Sequence, residues 1–134
     1  MGASQARYAA RGVLNDKGNT MKYALLIYEN EAFYGTEKAG PKIEEIVGKH
    51  MAFSDELGSK RIGGAGLKST AATTTVRTAG NRKTVHDGPF AEAREQLGGF
   101  YLIDVANLDE AIEIAKKVPV LQDGAIEIRP LLGQ

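Results

Sequence analysis

The chain has no cysteine in its 134 residues, so disulfides, thiolate metal ligands and cysteine nucleophiles are excluded together. Histidine is scarce: His50 and His86 are the only two, far apart and without carboxylates at ligand spacing, where zinc wants three or four ligands. Charge of one sign is lacking as well. Lys plus Arg and Asp plus Glu number 17 each, which leaves no net field to attract nucleic acid or an anionic membrane. The five Tyr and four Phe are not interleaved with a basic strip, so no stacking platform for single-stranded nucleic acid is evident. No segment approaches the roughly 20 consecutive apolar residues of a membrane span. The Gly-x-Ser-x-Gly elbow of serine hydrolases is missing, and the glycines of Arg61–Leu67 lack phosphate-loop spacing. These absences lead us to expect a cytoplasmic protein with no metal, no cofactor, no membrane and no direct nucleic-acid partner.

What is there fits one domain, since domains commonly hold about 100 to 150 residues. Residues 1–20 stand apart, dominated by Gly, Ala, Ser, Asn and Arg with almost no large aliphatics, and they predict a disordered N-terminal extension or leader. Residues 21–134 then form the domain. Tyr23–Tyr28 is a short apolar run of β-formers, apolar at both parities, as an interior strand requires. Pro41 suits the first position of a helix. Ile43, Ile46, Val47, His50, Phe53 and Leu57 recur at steps of three and four, which predicts a helix over 42–57 closed by Gly58.

Arg61–Leu67 reads as a strand or loop in which backbones approach closely. Thr73–Thr78 and Arg82–His86, joined by Ala79-Gly80-Asn81, read as a hairpin. Phe100–Val105 is another strand. Asn107 caps a second helix whose apolar stripe is Leu108, Ala111, Ile112, Ala115 and Val118, with Pro119 as its stop. Asp123-Gly124 turns the chain into Ala125–Pro130, a final strand with clean alternation.

The order is β-α-β-(β-hairpin)-β-α-β. Two β-α-β halves give the α+β ferredoxin-like plan, an antiparallel sheet with two helices on one face. Ile126 and Ile128 point to the helices; Glu127 and Arg129 point the other way. Because Ala24, Leu26 and Tyr28 share that second face, leaving it bare would expose a large apolar patch. Packing against a second copy solves this, and the space between the two sheets suits a ligand cavity. The alternative is a monomer on which Glu127 and Arg129 form a solvated ion pair.

The densest stretch of chemistry-bearing residues is His86-Asp87-Gly88-Pro89-Phe90, continuing through Glu92 and Glu95 to Gly98-Gly99. His86 is a candidate general base, with Asp87 or Glu95 orienting it or sharing its proton. Asp87 before Gly88 is equally suited to bonding turn amides. Residues 91–96 could make one helical turn or a surface turn. His50 is either a core histidine satisfied by a backbone partner or an acid/base group facing a pocket.

Lys22-Tyr23-Ala24-Leu25-Leu26-Ile27-Tyr28, Gly64-Ala65-Gly66-Leu67, Asp87-Gly88-Pro89-Phe90-Ala91-Glu92, Glu95-Gln96-Leu97-Gly98-Gly99-Phe100, Leu108-Asp109-Glu110-Ala111 and Ile126-Glu127-Ile128-Arg129-Pro130 carry a resemblance. Over Met21 to Leu132 the chain resembles the YCII-related proteins, and within them the subgroup marked by Asp-Gly-Pro-Phe (DGPF). That resemblance implies a dimeric α/β barrel. It also implies kinship with small bacterial proteins that carry a His–Asp pair in a cleft, of which at least one is a lyase removing chloride from an aromatic ring. DGPF proteins are often encoded beside extracytoplasmic-function sigma factors, which implies a regulatory link. Asp87, Gly88, Pro89 and Phe90 match the subgroup motif; His86 stands where Thr is common.

The resulting expectation is a homodimeric, cofactor-independent acid/base enzyme, lyase-like, acting on a small molecule. His86, Asp87 and Glu95 are its candidate catalytic residues, and Phe90, Arg129 and His50 its candidate substrate-binding residues. The alternative is a non-catalytic ligand-binding module serving sigma-factor-dependent transcription.

Overall fold

Strand β1 (Met21–Glu29) is the axis of the sheet. It pairs antiparallel with β5 (Gln96–Val105) on one side and β6 (Gly124–Pro130) on the other. β2 (Arg61–Gly66) adds to the outer edge of β5, giving the order β2-β5-β1-β6. Helices α1 (Pro41–Leu57) and α2 (Leu108–Ala115) follow β1 and β5 in the chain. This is the ferredoxin-like α+β plan read from the sequence. The computed structural model describes residues 19–35 and 38–134, so the expected leader over residues 1–20 lies outside it except for positions 19 and 20.

Strand alternation divides the molecule. Tyr23, Leu25 and Ile27 of β1 and Tyr101, Ile103 and Val105 of β5 point toward the helices and are buried. They meet Phe53 and Leu57 of α1 and Leu108, Ala111 and Ile114 of α2 in one core cluster. On the opposite face Ala24, Leu26, Tyr28, Phe100 and Leu102 are only half-buried, and no helix among the described residues covers them.

The ends of α2 are set by local chemistry. The Asn107 side chain accepts the Glu110 N–H at 3.0 Å, and the Glu110 carboxylate accepts the Ala106 N–H at 2.8 Å, a close relative of the capping box. The Ala106 bond, reinforced by a salt bridge from Lys60, holds the Glu110 carboxyl below its usual range.

β2 needs its glycines. A Cβ on Gly64, whose φ is +150°, would sit 2.6 Å from the Phe100 carbonyl oxygen, and one on Gly99 would sit 2.9 Å from that of Ala65. Two backbones approach more closely there than side chains permit.

The hairpin of β3 (Thr74–Ala79) and β4 (Arg82–Asp87) forms its own two-stranded sheet. Its Val76–Val85 cross-strand pair is 63% and 67% exposed. The base is tied by Gly88 N–H to Thr73 O at 2.8 Å and by Thr75 Oγ1 to Gly88 O at 2.6 Å. Residues 91–95 make bends with no helical turn, and β5 begins at Gln96, four residues ahead of the expected Phe100. The Gln96 side chain accepts the Glu31 N–H at 2.9 Å, anchoring that early start to the loop after β1.

Candidate functional site beneath the first helix

α1 does not lie flat on the sheet. Ile46, Phe53 and Leu57 reach the core, while Val47 and Met51 overhang open space. The cause lies in the strands below. In register, Gly64 sits opposite Tyr101 and Gly66 opposite Gly99, all at positions facing the helices. A Cβ on Gly66 would meet nothing within 4 Å. Glycines where side chains would otherwise fill the gap leave a cavity of about 530 Å³ between α1 and the β2–β5–β1 part of the sheet.

Polar groups converge on its wall from four separate segments. His50, from α1, has Nδ1 2.7 Å from the Tyr101 hydroxyl of β5, with the rings stacked at 5.8 Å between centroids. The His50 ring also bonds the backbone of Pro119, and a carbonyl can only accept, so the ring donates there. In the neutral ring the other nitrogen is then free to accept the Tyr101 proton. Burial lowers the His50 pKa from its ordinary 6.5, against a smaller upward pull from Pro119. Burial pushes Tyr101 up, opposed by the positive charge of Arg61, whose guanidinium carbon lies 5.8 Å from the Tyr101 ring centroid. Arg61 Nη2 reaches Gly64 O at 3.3 Å, yet its Nε is buried with no hydrogen-bond partner.

On the far side Tyr34 donates to Glu29 Oε2 at 3.0 Å, and Glu29 is only 8% exposed. Burial first, and then the Glu29 carboxylate, drive the Tyr34 hydroxyl well above its ordinary value.

Of the six residues singled out from the sequence, only His50 lines this cavity. It shows both features considered for it, a backbone partner and a pocket-facing position. His86 and Asp87 end β4 in full exposure, and because the strand runs through Asp87 their side chains leave opposite sides of the ribbon. His86 Nε2 comes no nearer than 3.4 Å to Pro89 O. Glu95 is exposed in the bend before β5, and Phe90 is 74% exposed. Arg129 bonds Glu127 at 2.9 Å on the helix-free face, the pairing considered there as the alternative to a dimer.

Tyr101, Arg61 and Glu29 were not singled out from the sequence. Only Glu29 left a readable trace: it continues the buried parity of Tyr23, Leu25 and Ile27, where a charge is out of place. Among the described residues no group of three or more His, Asp or Glu is arranged to hold a metal ion, and no helix is long and apolar enough to cross a membrane.

Residues 21–133 match the YCII-related domain, beginning where β1 begins. The chain belongs to the YCII-related family. A Rhizobium meliloti (strain 1021) protein, named only as uncharacterized, is 37% identical over 119 residues in an alignment that covers 83% of this chain and 92% of that one. The YCII-related domain therefore contains the whole cavity wall, from Ile27 to Tyr101.

The depressed His50 has a consequence for stability. An unfolded chain takes up the proton near pH 6.5, before the folded one does, so the folded state loses ground as pH falls from there through the lower native value. Thermal melts from pH 8 to 5 should show the wild-type midpoint dropping below pH 6.5, and His50→Gln should flatten that part of the profile. Parallel wild-type and variant curves would contradict it.

Proposed function

We propose that this YCII-related protein is a cofactor-independent acid/base enzyme acting on a small molecule in the cavity beneath α1, with Tyr101 and His50 moving the proton. The observation that carries this reading is the 2.7 Å contact between Tyr101 Oη and His50 Nδ1 on the cavity wall. A neutral, half-buried His50 can take the Tyr101 proton as Tyr101 takes one from the substrate, and can return it later. Arg61 beside the Tyr101 ring favours the transient phenolate. Proton transfer of this kind contributes typically about 10²- to 10⁴-fold to a rate. With a leaving group next to the carbon that loses the proton, the outcome is an elimination, the lyase-type reaction implied by the family resemblance.

The reading includes a homodimer joined through the helix-free sheet face, and membership of the DGPF subgroup on Asp87-Gly88-Pro89-Phe90. It gives His86, Asp87 and Glu95 no part in proton transfer within their own chain, since all three are exposed.

The test follows small enolisable and aromatic acids in D₂O by proton NMR, scoring loss of C–H signal or conversion. Tyr101→Phe and His50→Gln should each slow the reaction about 10²-fold or more, with melting points within a few degrees of wild type at pH 8. Full activity in both variants would overturn the proposal. Activity lost in Asp87→Asn but kept in His50→Gln would move the chemistry to the hairpin.

A further inference from the structure

We infer that the cavity beneath α1 binds a small carboxylate carried on a flat apolar body, with the carboxylate held by Arg61. This rests on the cavity being the site, as proposed above, and names its ligand class.

Among the described residues, the cations of the wall lack anionic partners. Lys38, Arg61 and Lys68 all line the cavity, and among the described residues none of them has a carboxylate within salt-bridge distance. Lys38 Nζ has the Leu67 carbonyl at 2.9 Å, and Arg61 has one long bond to Gly64 O. Glu29, the single carboxylate on the wall among the described residues, is already engaged by the Tyr34 hydroxyl. Three positive charges therefore face one negative charge that is occupied elsewhere.

Arg61 sharpens the inference. Guanidinium carries five donors in a fixed fork; Nη2 reaches Gly64 O at 3.3 Å and Nε is sealed from solvent, which leaves the Nη edge for an anion in the cavity. A planar two-oxygen anion is the shape that such a fork matches. A carboxylate bound there sits next to Tyr101, which brings the carbons beside it toward the Tyr101–His50 pair.

The rest of the wall describes the body. Ile27, Ile46, Val47, Met51 and Leu67 are apolar, while Gly66 and Gly99 present bare backbone against which a flat group can lie. About 530 Å³ falls in the range of small-molecule pockets and has room for a bicyclic ring with its carboxylate.

The probe is 1-naphthoate, compared with its neutral isostere 1-naphthamide and with acetate, titrated into the full chain by calorimetry at pH 8. Wild type should bind naphthoate at least about tenfold more tightly than naphthamide, and acetate should not register. Arg61→Gln should bind naphthoate about tenfold more weakly, and Arg61→Lys should recover part of the loss. Equal affinity for acid and amide in wild type would overturn the inference without recourse to any variant. So would absence of naphthoate binding, or unchanged binding in a folded Arg61→Gln. The assay reads binding alone, so it separates the two proposals: naphthoate binding that depends on Arg61, with no proton exchange at any substrate, would keep the ligand class and remove the acid/base reading.

Discussion

Leu26→Asp should split the proposed homodimer into subunits of 14.4 kDa while leaving each subunit folded. Leu26 lies midway along β1 on the face without helices, in register with Phe100 of β5 and Glu127 of β6. With Ala24, Tyr28, Phe100 and Leu102 it makes a half-buried apolar surface across two central strands. In a two-fold arrangement that surface meets its own copy, and an aspartate at its centre places two unpaired carboxylates in a dry seam. The subunit core is spared, because Tyr23, Leu25 and Ile27 face the other way. Light scattering coupled to size exclusion at micromolar concentration should therefore report twice 14.4 kDa for wild type and 14.4 kDa for the variant. A wild type that elutes as a single subunit refutes the dimer, and a variant that still pairs refutes this face as its seam.

One residue earlier the same kind of side chain has a different role. Leu25→Ala should cost about 2 to 5 kcal/mol of subunit stability, lowering the melting point by on the order of 10 °C. Leu25 is 0% exposed, packed in the central strand with Ile103 and the apolar faces of both helices, and truncation leaves a void that a strand held between β5 and β6 cannot close. Denaturant unfolding should show a lower midpoint with an unchanged slope, and its dimer should persist where enough folded protein remains. A loss under 1 kcal/mol would mean that the core is looser than its burial implies.

The contrast between Leu25 and Leu26 shows how far sequence reaches. Period-two alternation is a local property, so β1 and β6 announced which residues share a face. Pro41, Gly58 and the Asn107–Glu110 pair marked helix ends through interactions spanning four residues or fewer, and these too were legible. The early start of β5 was not, because Gln96 is held by Glu31, 65 positions away.

The candidate site was much less legible. His86 and Asp87 drew attention by adjacency, yet adjacency in a strand sends side chains to opposite sides, and both ended on an exposed ribbon. The groups that do converge come from α1, β2 and β5, with His50 and Tyr101 separated by 51 positions. Tyr101 looked like one more core aromatic in an apolar strand, and Arg61 like the edge of a glycine run.

The sequence by itself determined the order of elements, the two faces of the sheet, the helix caps and the exclusion of cysteine chemistry. All of these depend on neighbours within a turn or on composition. The tertiary structure alone decided that α1 stands off the sheet over a glycine floor, and that His50, Tyr101 and Arg61 meet beneath it. A cavity is space left between distant segments, and no stretch of chain encodes the distance to another.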